Sequence, residues 1–165
     1  MANTYTQIHI QAIFAVQNRE CLIHKDWQED LYKYNTLNAK AETIHSLSSF
    51  RESIKSRRCI VPLTSFYEWR WNDPKGNSKT KFQIGLKEEI FSLAGIYDSW
   101  LDKETGENLN TFAVITTEAN PMMAKIHNKK KRMPVILSNN KEWFSDNYEN
   151  QLKSFDENKM WNKEV

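Results

Sequence analysis

The chain has 165 residues, with 23 Lys and Arg against 21 Asp and Glu, a net charge of +2, and two cysteines. That length suits one domain with its own core, and the near-neutral balance excludes double-helix binding by bulk charge, leaving only a local basic patch for any nucleic acid. Cys21 and Cys59 form neither a disulfide framework nor a metal-ligand spacing, no apolar run is long enough to span a bilayer, and no basic-then-apolar leader opens the sequence. The expected setting is therefore reducing and cytoplasmic, with no membrane, metal or cofactor.

In chain order, residues 5–16 alternate, with Thr6, Ile8, Ile10, Ala12, Phe14 and Val16 on one face, which predicts a half-buried strand. Trp27, Leu31 and Tyr34 recur at near-helical spacing and predict a short helix. A second helix is expected over about 42–57, because Ile44, Leu47, Phe50 and Ile54 share one stripe. Residues 59–63 read as a short buried strand, with Cys59 a small, inert core residue, and lead into the aromatic run Phe66-Tyr67-Glu68-Trp69-Arg70-Trp71. Asp73-Pro74-Lys75-Gly76-Asn77 signals a turn. Strands over 81–86, 91–97 and 110–116 then predict a hairpin-rich sheet. Thr117 is placed to cap a helix from near Ala119 to near His127, with Pro121 in its first turn. A lysine run precedes another short strand over 133–137. The tail from Lys141 is polar, with aromatic anchors at Trp143, Phe144 and Tyr148.

Three residues stand out chemically. Glu68 lies among rings, and desolvation there disfavours its charged form, as general acid-base work requires; the alternative is an outward-facing glutamate on a half-buried strand. His127, beside Lys129, Lys130, Lys131 and Arg132, sits where an imidazole and an anion meet, the neighbouring cations lowering its pKa; alternatively it only bonds the last carbonyls of its helix. Asn38 either orients a substrate oxygen or caps the segment after it.

Taken in order, six segments resemble the SOS-response-associated peptidase (SRAP) family over about residues 35–145. They are Asn38-Ala39-Lys40-Ala41-Glu42-Thr43, Arg58-Cys59-Ile60-Val61-Pro62, Phe66-Tyr67-Glu68-Trp69, Phe91-Ser92-Leu93-Ala94-Gly95-Ile96-Tyr97, Thr116-Thr117-Glu118-Ala119-Asn120, and Ile126-His127 with Arg132-Met133-Pro134-Val135-Ile136-Leu137. The resemblance implies an α+β fold built around a barrel-like antiparallel sheet with a few short helices. It also implies a sensor of abasic sites in single-stranded DNA, and the chain is expected to be a monomer. In that family an N-terminal cysteine closes a thiazolidine on the ring-opened abasic sugar, forming a covalent DNA–protein crosslink. Carried over by motif, Asn38 orients the opened sugar, Glu68 shuttles protons and His127 assists as acid or base. Lys40 and Arg132 contact phosphate, and Trp69 offers a stacking wall.

The start of the chain departs from this pattern. Met1-Ala2-Asn3-Thr4 stands where the family has Met-Cys-Gly-Arg, and a tryptophan-glycine-leucine-proline segment is missing before Asn38. Instead, Thr4-Tyr5-Thr6-Gln7-Ile8-His9-Ile10-Gln11 and Trp27-Gln28-Glu29-Asp30-Leu31-Tyr32-Lys33-Tyr34 resemble the first strand and helix of REP-associated tyrosine transposases. The resulting expectation is a transposase-like unit over 1–34 joined to a truncated SRAP-like domain over 35–165. Two readings follow: an abasic-site enzyme or binder, or else a non-catalytic single-strand-binding remnant or a fusion product with no selected function. A generic small β-rich ligand-binding domain is the third.

Overall fold

The computed structural model describes residues 39–101, 106 and 108–165. The strand expected over 5–16, the helix around 27–34, the boundary near residue 35 and Asn38 lie outside the described residues.

Eight strands carry the described fold: β1 (Arg58–Leu63), β2 (Phe66–Trp71), β3 (Lys79–Leu86), β4 (Phe91–Leu101), β5 (Asn108–Val114), β6 (Thr116–Glu118), β7 (Arg132–Pro134) and β8 (Met160–Glu164). They pair antiparallel in three ladders, β1-β4-β5, β2-β3-β8 and β6-β7. The helices are short: α1 (Ser53–Ser56), α2 (Pro121–Ile126) and α3 (Asn140–Trp143), with 3-10 turns at Tyr148–Gln151 and Glu157–Lys159. This is the expected α+β architecture of antiparallel sheet with a few short helices; among the described residues the strands form these separate ladders and not one closed sheet. No described helix is long and apolar enough to cross a membrane.

Two buried clusters hold the ladders together. One joins Phe66, Phe82, Ile84 and Leu86 of the β2-β3 pair to Met123 and Ile126 of α2 and Met160 of β8. The other gathers Ile44, Phe50 and Ile54 with Ala94, Ile96, Ile115, Val135 and Trp143. Pro62 lies in β1, which among the described residues is an edge strand, where a missing N–H costs no ladder bond.

Several expectations are corrected. In place of a continuous helix over 42–57 there is a run of turns closing into α1. Its bonds mix spacings: Ser46 N to Thr43 O and Phe50 N to Leu47 O span three residues, while Leu47 N to Thr43 O and Ile54 N to Phe50 O span four. The Ser46 hydroxyl also bonds Thr43 O, at 2.9 Å, the side-chain competition that makes serine and threonine poor in helix interiors. The apolar stripe itself is right, since Ile44, Phe50 and Ile54 are buried. Asn120, not Thr117, caps α2: its Oδ1 accepts from Met123 N at 2.8 Å, and Pro121 follows in the first turn. Thr117 lies instead in β6. The tail is more structured than a polar extension, because β8 adds to the β3 edge and buries Met160. Phe144 is not an anchor, being 53% exposed, whereas Trp143 is fully buried. Cys59 is half-buried, with burial pushing its thiol pKa up and so disfavouring the reactive thiolate.

Candidate active site

Glu68 lies on β2 between Phe66 and Arg70, and side chains two apart on a strand share a face. That face is the inward one, since Phe66 and the facing Phe82 and Ile84 of β3 are buried. The outward-facing alternative is therefore reversed. Glu68 is a carboxylate at the inner rim of the sheet, its side chain only 15% exposed. A shallow cleft along this face is lined by Arg70, Phe82, Met122 and Lys125, and neither Glu68 nor His127 is among its walls.

His127 reaches Glu68 from α2. The helix packs on β2 and ends at Ile126, so its C-terminal residue is delivered to the sheet rim. The His127 N–H still closes the helix on Met123 O at 2.7 Å, and its carbonyl accepts from Lys131 N at 2.8 Å. Lys131 takes a positive φ of 49°, the left-handed conformation that brings the loop back on itself. His127 Nδ1 lies 2.8 Å from Arg132 O and 3.9 Å from Glu68 Oε1. A carbonyl only accepts, so Nδ1 carries the hydrogen, and in the neutral ring Nε2 holds the lone pair. The site thus pairs a half-buried carboxylate with an imidazole whose free nitrogen gives or takes a proton. An ion pair with Glu68 is added when the ring is protonated.

Arg132 was expected to meet phosphate, and the fold employs its guanidinium internally. Its Nη1 and Nη2 donate to the Glu42 carboxylate at 3.0 and 2.8 Å, and Nη2 also donates to Thr116 O at 2.8 Å. Glu42 further accepts from the Thr117 hydroxyl and the Glu118 N–H. Burial alone would raise the Glu42 pKa, but the bonds and charge of Arg132 outweigh it and hold the carboxyl below its ordinary range. The clamp ties the segment after Asn38 to the strand whose first carbonyl orients His127. Ala39 O accepts from Thr116 N and Ala41 N donates to Thr116 O, both at 2.8 Å, so Lys40 runs beside β6, half-buried.

Glu42 and Thr116 lie inside the quoted motifs, but only their pairing across the fold gives them a role. Because a depressed carboxylate adds stability above its unfolded pKa and loses it as pH falls through the folded value, the clamp should weaken below about pH 4.5. Glu42→Gln should cost about 1–2 kcal/mol at neutral pH, a charge-assisted bond discounted for partial exposure, and should flatten the acid limb of a melting-temperature profile. An unchanged acid limb would show that the clamp does not carry it.

The structure therefore brings Glu68 and His127 together, with Arg132 supporting His127 through its carbonyl. Trp69 points to the opposite face of β2, half-buried. Among the described residues, no group of three or more His, Cys, Asp or Glu is placed to hold a metal ion.

Residues 15–163 match the family described as SOS response associated peptidase (SRAP). Over 115 residues the chain is 45% identical to abasic site processing protein YoqW of Bacillus subtilis, covering 68% of this chain and 49% of that protein. It is 29% identical over 125 residues to abasic site processing protein HMCES of Gallus gallus, covering 64% and 35%. A crystal structure of a protein from Bacteroides thetaiotaomicron superposes with a TM-score of 0.73 at 42% identity, covering 87% of this chain and 64% of that one. The chain thus spans about half the length of YoqW and about a third of HMCES.

Proposed function

The chain belongs to the SOS response associated peptidase family, and on that premise we propose that it recognises abasic sites in single-stranded DNA, with Glu68 and His127 at the opened sugar. The observation that carries this reading is their apposition, Glu68 Oε1 to His127 Nδ1 at 3.9 Å, at a half-buried rim. Relatives named abasic site processing proteins support the substrate class.

Opening an abasic sugar exposes an aldehyde, and any addition at that carbon moves protons onto and off oxygen. A carboxylate and an imidazole with a free Nε2 suit that work, one accepting while the other donates. Asn38 orients the sugar. Lys40 lies nearby to meet phosphate, while Arg132 contributes charge and holds His127 instead of reaching outward. Trp69, on the other face, is the wall along which the strand leaves.

Incubated with oligonucleotides, this chain should bind an abasic single strand more tightly than the intact one. Equal affinity for the two strands would sink the reading.

A further inference from the structure

His127 and Glu68 come from different elements, α2 and β2, so their apposition needs a contact that refers one element to the other. Met123 and Ile126 pack on Phe66 and Phe82, but apolar burial is non-directional and fixes no register between a short helix and a strand. The hydrogen bonds on His127 itself stay within α2 and the loop after it: its N–H to Met123 O, Lys131 N to its carbonyl, and Nδ1 with Arg132 O. The strand that Arg132 begins, β7, pairs with β6 and not with β2.

The directional link to β2 comes from the next residue. Asn128 Oδ1 accepts from Trp71 N at 3.0 Å, and its Nδ2 donates to Trp71 O at 2.8 Å. The register explains why Trp71 is open to it. Asn72 N donates to Ser78 O at 2.9 Å, and in an antiparallel ladder the residue beside a hydrogen-bonded pair turns its N–H and C=O to the opposite edge. Among the described residues β2 is an edge strand, so no described strand meets the groups of Trp71. A primary amide carries the donor and the acceptor of a peptide unit, and Asn128 pairs with Trp71 as one residue of a further strand would.

Both bonds are exposed, so they add little to stability, and what they supply is direction. Lys129 Nζ also lies 5.1 Å from the Trp71 ring centroid, but a cation over a ring face slides where a two-point amide pair does not.

We propose, resting on the reading of Glu68 and His127 as the acting pair, that Asn128 is a positioning residue. Its side chain clamps the loop after α2 to the β2 edge, three residues along the strand from Glu68, and so sets the imidazole against the carboxylate. Asn128 acts through His127 and touches no substrate.

The test reads the His127–Glu68 contact first without DNA. With nitrogen-15-labelled histidines, at a pH where His127 is protonated, Glu68→Gln should move the His127 ring signals of the full chain. In an Asn128→Ala background the same replacement should move them about half as far, the loss expected where the separation of two charges doubles. Asn128→Asp, which still accepts from Trp71 N and cannot donate to Trp71 O, should fall between. Asn72→Ala is the control: it removes two side-chain bonds of the same hairpin, to Ser78 Oγ and from Thr80 Oγ1, both at 3.1 Å, and should leave the response whole. An undiminished response in Asn128→Ala, or an equal fall in Asn72→Ala, would overturn the proposal. With DNA, Asn128→Ala should lower the preference for an abasic strand and have no further effect once His127 is already alanine; a further loss there would overturn it too. If the response without DNA falls as stated and no variant alters abasic preference, the positioning role stands and the abasic-site reading alone fails.

Discussion

Trp143→Ala is expected to destabilise the fold by about 3–5 kcal/mol, enough to leave much of a marginally stable domain unfolded. Trp143 is fully buried, in the cluster that joins Ile44, Phe50 and Ile54 to β4 and to the strands around the site. Its indole N–H donates to Cys59 O at 2.9 Å, so truncation also strands an edge-strand carbonyl. Its backbone carbonyl accepts from Arg58 Nε at 2.9 Å, and Arg58 in turn donates to Ile54 O and Lys55 O, closing α1. Arg58 also lies 4.1 Å over the Tyr148 ring, which meets Trp143 edge-on at 84°. One side chain thus holds the C-terminal turns to β1 and α1. Urea unfolding followed by circular dichroism would measure the loss; a shift below 1 kcal/mol would mean that the tail docks by other contacts. Trp143→Phe, which keeps a ring and loses the hydrogen bond, should fall between.

Glu68→Gln is the second large effect, and it is one of function. The substitution keeps shape and removes charge, so the fold should be spared while the preference for an abasic over an intact strand falls roughly ten- to a hundredfold, the worth of a hydrogen bond to a charged group. Affinity for the intact strand should stay put, because that strand lacks the opened sugar on which Glu68 acts. His127→Ala should lower the same preference, and the double variant should cost less than the two losses added, as expected for groups acting on one atom. Additive losses would mean that the two residues act independently.

Much of this was legible in the chain, and the failures have physical causes. Strand content was readable from alternation and turn residues: Asp73 makes the hairpin turn through bonds to Lys75 N and Ser78 N, as its position before Pro74 suggests. The helix over 42–57 failed because periodicity reports burial and not backbone continuity, and the hydroxyl-bearing residues between the apolar ones favour turns. The face of Glu68 was open because alternation says which residues share a side and is silent on which side is covered. That was settled by α2, which packs over Phe66 and Phe82 from more than thirty residues away. Likewise the Glu42–Arg132 clamp and the Asn128–Trp71 pairing join segments distant in sequence, and local pattern carries no trace of such contacts. Glu68, His127 and Arg132 were singled out through ordered motifs, and the structure adds the contact of His127 Nδ1 with Arg132 O, which leaves the lone pair of the neutral ring on Nε2.

The most direct test of the account is nuclear magnetic resonance of the nitrogen-15-labelled histidines during titration with an abasic single strand and, separately, with its intact counterpart. The account predicts that free His127 is protonated on Nδ1 when neutral, and that its Nε2 signal moves with the abasic strand and stays with the intact one. A His127 ring that ignores the abasic strand, or answers both strands alike, would contradict it.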